Sequence, residues 1–99
     1  MSITSYLETM FSLEGKVVMF TGASGGIGSE VAKGMAKAGA HIALCDIDLT
    51  QLTKIQKEIE SEGGKASSFF LDVTDLDNIN KCVDEIGAIN GNIDVLVNC

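Results

Sequence analysis

Val17, Val18, Met19 and Phe20 form a run that is apolar at every position and breaks directly into a turn holding Gly22, Gly25, Gly26 and Gly28. A strand with one face in water alternates apolar and polar residues, so a run without polar positions has both faces covered. Helices must supply that cover. Ile27, Val31, Met35 and Ala38 recur at helical spacing with Glu30, Lys33 and Lys37 opposite, and Gly39 stands where a terminating residue belongs. A helix is expected over about 27–38, with the apolar four on its buried face.

The alternation continues along the chain. Ile42-Ala43-Leu44-Cys45 is the second expected strand. Asp48, with Gln51 three residues on, resembles a capping box opening a helix striped by Leu49, Leu52, Ile55 and Ile59 and closed at Gly63-Gly64. Ala66 to Leu71 is a third strand. Thr74 is the expected N-cap of a third helix, with Asp75 and Asp77 at its positive end and Leu76, Ile79, Val83 and Ile86 on its buried side. Val95-Leu96-Val97 is the fourth strand and leads to Asn98 and Cys99. Short apolar runs alternating with helical segments are the pattern of βαβ units. The expected class is α/β, a doubly wound parallel sheet with helices on both faces. Residues 1–14 are expected to form an N-terminal arm, with Leu7, Met10, Phe11 and Leu13 available to dock, and residues 15–99 the domain.

Charge and cysteine usage narrow the partners. Fourteen acidic residues face seven basic ones, all lysines, for a formal net charge of −7. Tracking a phosphate backbone needs a cationic face, so nucleic acid is not an expected partner. Cys45, Cys82 and Cys99 are odd in number and show no metal or redox spacing; neither a disulfide framework nor a metal site is expected, which suits a cytoplasmic location. The first residues carry Glu8 and Glu14 and no basic stretch, and no apolar run approaches a membrane span, so neither export nor membrane insertion is expected.

Chemistry concentrates in Thr21-Gly22-Ala23-Ser24-Gly25-Gly26-Ile27-Gly28, between the first strand and the first helix. The N–H groups of a helix's first turn lack internal partners and sit at the positive end of its dipole, which makes an anion site. Gly22 is expected to make the turn, Gly26 to admit a diphosphate close to the backbone, and Gly28 to let helix pack tightly on strand. Ser24 can donate its hydroxyl to a phosphate oxygen, and Gly25 and Ile27 complete the loop. A glycine turn alone is weak evidence. Here Asp46 ends the second strand about twenty residues on, where a Rossmann sheet sets a carboxylate against the adenosine ribose hydroxyls. A solvated strand end is the competing reading of Asp46. No Gly-Lys-Ser/Thr follows, so a Walker loop is excluded.

The spacing Gly22-x-x-x-Gly26-x-Gly28 resembles the coenzyme loop of the short-chain dehydrogenase/reductase family, and Leu13-Glu14-Gly15-Lys16 resembles that family's entry to its first strand. The resemblance runs from residue 13 to 99. It implies that Asp72 faces the adenine amino group, that the Val73 backbone lies beside the ring, and that Asn98 is the first Asn of an Asn-Asn-Ala-Gly motif. For Asp72, too, a solvated strand end competes. It implies the strand order 3-2-1-4 and an oxidoreductase that moves hydride between a nicotinamide and an alcohol or ketone of a small molecule, as a homo-oligomer when complete.

Charge argues for NAD(H) over NADP(H). A 2′-phosphate beside Asp46 would meet like charge, and neither Gly25, ahead of the second motif glycine, nor Ile47, after the acid, supplies a cation. The family's catalytic Tyr, with a Lys four residues later, and its Ser have no match. The only tyrosine is Tyr6, with Met10 four residues on, and no Ser follows Ser68. No catalytic residue is assigned, and the chain is expected to be the N-terminal portion of a longer enzyme, its fourth strand left with an unpaired apolar edge. His41 is expected at the surface, and Cys45 and Cys82 as small apolar fillers. Two other classes stay open: a non-catalytic dinucleotide-binding or dimerisation module, and a methyltransferase with S-adenosylmethionine on a similar sheet.

Overall fold

A computed structural model describes residues 12–99. Leu7, Met10 and Phe11 of the expected arm, and Tyr6, lie outside the described residues. Leu13 lies within them; its N–H donates to the Ala38 carbonyl at 2.8 Å and its side chain packs against the core.

Strands β1 (Val17–Thr21), β2 (His41–Asp46), β3 (Lys65–Phe70) and β4 (Val95–Asn98) alternate with helices α1 (Gly26–Lys37), α2 (Leu49–Ser61) and α3 (Leu76–Asn90). The strands form one sheet in the order β3-β2-β1-β4. All three ladders are parallel, with Val18 paired to Ile42 on one side and to Val95 on the other. This is the expected 3-2-1-4 arrangement. Every residue of β1 is buried, as its unbroken apolar run requires.

Successive strand residues serve opposite faces of the sheet. Val18, Phe20, Ile42 and Leu44 join Ala32, Ala36, Leu52, Ile55 and Ile59 under α1 and α2. Val17, Met19, Ala43 and Cys45 join Phe69, Leu71, Cys82 and Ile86 under α3. Two helices therefore cover one face and the third covers the other, the doubly wound plan.

Two helices present different faces from those expected. On α1 the buried residues are Gly28, Ala32 and Ala36, one position round from the expected stripe; Ile27 is 83% exposed and Val31 is also exposed. The cause is the height of α1 above the sheet. A Cβ on Gly28 would sit 2.9 Å from the Gly22 carbonyl oxygen and 3.5 Å from the Phe20 ring, so only a row of small residues fits beneath the helix. On α3 the buried residues are Cys82 and Ile86, with Ile79 packed at the margin, while Leu76 is 70% exposed and Val83 is exposed. Counting Cys82 as an apolar residue rotates the stripe to this position.

Smaller corrections follow local hydrogen bonding. Asp75, not Thr74, caps α3, its carboxylate accepting from the Asn78 N–H at 3.2 Å. A charged acceptor suits a helix N-terminus better than a hydroxyl, and the Thr74 hydroxyl is bonded elsewhere, to Asp72. Leu49 is exposed at the start of α2. β3 begins and ends one residue early, although the Leu71 N–H still reaches the Asp46 carbonyl at 3.0 Å. His41 opens β2 half-buried, its Nε2 3.2 Å from Ser67 Oγ; burial, then the charge of Lys65, pushes its pKa down.

Beyond β1 the second face is open. Met19, Leu71, Ile79, Val83 and Leu96 line an apolar hollow of about 240 Å³ between α3 and β4, and Leu96 on the sheet edge is 64% exposed. No described helix is long and apolar enough to cross a membrane.

Candidate functional site

The strand order reverses between β1 and β4: α1, which follows β1, lies on one face of the sheet and α3, which precedes β4, on the other. This divergence is the point at which open α/β sheets hold ligands. The glycine turn is built there. Gly22 has φ +71°, a conformation that favours glycine, and its N–H donates to the Cys45 carbonyl at 3.0 Å, folding the loop across the tip of β2. A Cβ at Gly22 would collide with the Cys99 carbonyl. Gly28 is the packing glycine described above. Gly26 differs: nothing lies within 4 Å of where its Cβ would be, so the backbone there is open to an approaching group.

The three helices begin differently. α2 and α3 are capped by Asp48 and Asp75, each accepting a backbone N–H of the first turn. α1 has Gly25 at its N-cap, makes no side-chain cap bond and carries no acid in its first turn. The amides of Gly26, Ile27 and Gly28 precede the first i−4 bond, made by the Ser29 N–H to the Gly25 carbonyl at 2.8 Å. They remain available to an anion.

Asp46 stands beside this loop at the end of β2. Its Oδ2 accepts from the Ser24 hydroxyl at 2.6 Å and from the Ser24 N–H at 3.3 Å, and its Oδ1 accepts from the Ile47 N–H at 2.7 Å. Partial burial pushes the carboxyl pKa up, but the bonds from the Ser24 hydroxyl and the Ser24, Ile47 and Asp48 amides outweigh it and hold Asp46 below the usual carboxylate range. The Ser24 hydroxyl, expected to face a phosphate, is thus turned to the carboxylate in this structure.

Across the tip of the sheet, Asp72 Oδ1 accepts from the Thr74 hydroxyl at 2.6 Å and the Thr74 N–H at 3.0 Å, which lowers its pKa. The Asp72 N–H donates to Asn78 Oδ1. Asn98 ends β4, its Oδ1 accepting from the buried Thr21 hydroxyl at 2.7 Å.

An open pocket of about 330 Å³ brings Gly22, Asp46, Ile47, Asp72, Val73 and Asn98 together, with Thr21, Cys45, Leu71, Thr74 and Cys99. Ser24, Gly25, Gly26, Ile27 and Gly28 do not line it; they form its neighbouring rim at the start of α1. Two acids and no cation line the pocket. A larger hollow of about 420 Å³ lies between α1 and α2, but Lys33 and Lys37 at its wall are already paired with Glu58 and Glu62, and no free donors converge there. The smaller pocket is the candidate site.

Two contributors have no role assigned from the sequence: Thr21, although it opens the glycine stretch, and Asp94. Thr21 is the polar last residue of an otherwise apolar strand, a signal that was legible. Asp94, whose Oδ2 accepts from the Val17 N–H at 2.8 Å, fastens the opposite end of β1 to the approach to β4; no local pattern marks it.

Comparison with known proteins agrees with this geometry. The family profile described as short chain dehydrogenase matches residues 16–99. A fatty acyl-CoA reductase of Acinetobacter baylyi is 40% identical over 94 residues, which are 93% of this chain and 32% of that protein. The crystal structure of a D-mannonate oxidoreductase, described as putative, from Haemophilus influenza with bound NAD superposes with a TM-score of 0.85 at 36% identity, covering 91% of this chain and 32% of that one. A metagenomic short-chain oxidoreductase in complex with NADP gives 0.81 at 36% identity, over 85% of this chain and 38% of that one. The chain spans about a third of the length of these relatives. These matches displace the methyltransferase alternative. With the sheet order, the glycine turn and the acid at the tip of β2 in agreement, the chain belongs to the short-chain dehydrogenase family.

Proposed function

We propose that this chain holds the coenzyme of an NAD(H)-dependent oxidoreductase that interconverts an alcohol and a ketone on a small molecule. The diphosphate rests on the open amides of Gly26, Ile27 and Gly28, with Gly22 and Gly25 shaping the turn and Ser24 beside it. Asp46 accepts the hydroxyls of the adenosine ribose. Ile47, Asp72 and Val73 flank the adenine, and Asn98 meets the coenzyme further along the cleft. When bound, the nicotinamide gives or takes the hydride.

One observation carries this reading: the uncapped first turn of α1 and the carboxylate of Asp46 share one rim, with an adjoining pocket of about 330 Å³. The residues fit the group. Gly26 leaves the approach clear, α1 presents donors where charge is negative, and Asp46 presents an acceptor where hydroxyls would lie.

NAD(H) is favoured over NADP(H) because a 2′-phosphate beside Asp46 would be repelled by an ionised carboxylate, and no Lys lines the pocket to offset it. The bound dinucleotides of the relatives include both forms, so the choice rests on this chain's own charges. The complete catalyst takes a small-molecule substrate and assembles as a homo-oligomer. No described residue is given the proton-transfer role. Calorimetric titration of the purified protein with NAD and NADP tests the proposal: tighter binding of NAD is expected, and a preference for NADP or failure to bind either overturns it.

A further inference from the structure

We infer that Ser24 is a specificity-determining residue that acts through Asp46, aiming its carboxylate at the ribose, and not a donor to the coenzyme phosphate. This rests on the NAD(H) reading above and deepens it.

Ser24 lies in the glycine turn after β1 and Asp46 at the end of β2, separated in sequence but joined by two hydrogen bonds. The hydroxyl donates to Oδ2 at 2.6 Å and the main-chain N–H to the same oxygen at 3.3 Å. Ile47 N–H holds the other oxygen at 2.7 Å. A carboxylate gripped at both oxygens has a fixed plane, and bonds to an ionised acceptor are the strong kind. About four lone-pair sites belong to a carboxylate, so these donors orient Asp46 without exhausting its capacity to accept.

The consequence is a division of labour between hydroxyl and amides. A hydroxyl committed to Asp46 is unavailable to the diphosphate, for which the Gly26, Ile27 and Gly28 amides are free. If Ser24 served the phosphate, its loss would weaken NAD and NADP equally, because both carry the same diphosphate. Acting through Asp46, it affects the two differently. A fixed carboxylate accepts from a 2′-hydroxyl and repels a 2′-phosphate, whereas a loosened one does each less well.

The test compares the wild-type protein with Ser24→Ala, Ser24→Thr, Asp46→Ala and the Ser24→Ala/Asp46→Ala double variant, each titrated with NAD and with NADP. The Asp46 carboxyl is followed by carbon NMR without coenzyme. Ser24→Ala is expected to weaken NAD roughly three- to tenfold, the range expected for an indirect loss of one charge-assisted bond, and NADP by clearly less. The Asp46 carboxyl should then titrate at higher pH, Ser24→Thr should restore both properties, and Ser24→Ala should add nothing in the Asp46→Ala background. Equal weakening of both dinucleotides, an unchanged Asp46 titration, or full additivity in the double variant overturns the inference while leaving the wild-type preference for NAD intact. A wild-type protein that binds neither dinucleotide, or prefers NADP, overturns the coenzyme reading and this inference with it.

Discussion

The Thr21 hydroxyl donates to Asn98 Oδ1 at 2.7 Å, tying the ends of β1 and β4 together at the place where the strand order reverses. Thr21 is buried and Asn98 exposed, so this part-buried bond braces the floor of the open pocket. Thr21→Val keeps the shape and removes the donor. It should cost about 1 kcal/mol of stability, the typical worth of such a bond, with a several-fold loss of NAD affinity. Urea unfolding and calorimetry measure the two effects, and unchanged values for both would show the bond to be incidental.

Gly26 and Gly28 should separate binding from folding. A Cβ at Gly28 would meet the Gly22 carbonyl oxygen at 2.9 Å, so Gly28→Ala must lift α1 from the sheet, at a cost of about 1–3 kcal/mol. At Gly26 nothing stands within 4 Å, so Gly26→Ala should fold as well as the wild type yet weaken NAD at least tenfold, roughly the loss of one good contact. Thermal melts alongside titrations decide; equal destabilisation by both variants would contradict the proposed division.

Which parts of this were legible beforehand follows from the range of the interactions. The uniform run Val17 to Phe20 announced a strand covered on both faces, and the acid at Asp46 was readable from its distance to the glycine turn. The buried row Gly28, Ala32 and Ala36 was not, because apolar bulk draws attention to Ile27 and Val31, whereas the close approach of α1 is a property of the packed sheet. Likewise Ser24 and Asp46 meet only because β1 and β2 are neighbours with aligned tips, Thr21 opposite Cys45. The bond from Val17 to Asp94 spans nearly the whole described chain.

Acid should act on Asp46 in a defined direction. Its folded pKa lies below the ordinary value of 3.8, so its contribution to stability is present above that value and is lost as pH falls through the lower, folded one. NAD affinity should therefore stay level from neutral pH down to about 5, where an ordinary carboxylate remains largely ionised. The stability difference between wild type and Asp46→Asn should shrink only below 3.8. Titrations and melts at stepped pH check this, and a midpoint at or above 3.8 would show Asp46 to be unassisted by its donors.

The cysteines should differ sharply toward a thiol reagent. Cys45 and Cys82 are buried with their sulfurs 3.8 Å apart, and burial raises both thiol pKa values, with the neighbouring Cys82 adding to the rise at Cys45. Cys99 is exposed. In the native protein Cys99 alone should react at neutral pH, the other two only on unfolding, because the thiolate is the reactive form. Mass spectrometry after brief labelling reads this directly; rapid native labelling of Cys45 would mean that α3 does not stay packed on β2.

The central claim places a diphosphate on the start of α1 and a ribose on Asp46. Amide chemical shifts recorded while NAD is added test it most directly. The largest changes should fall on Gly26, Ile27 and Gly28 and on Asp46 and Ile47. Changes confined to the hollow walled by Lys33, Lys37 and Glu62, or no changes at all, would contradict the account.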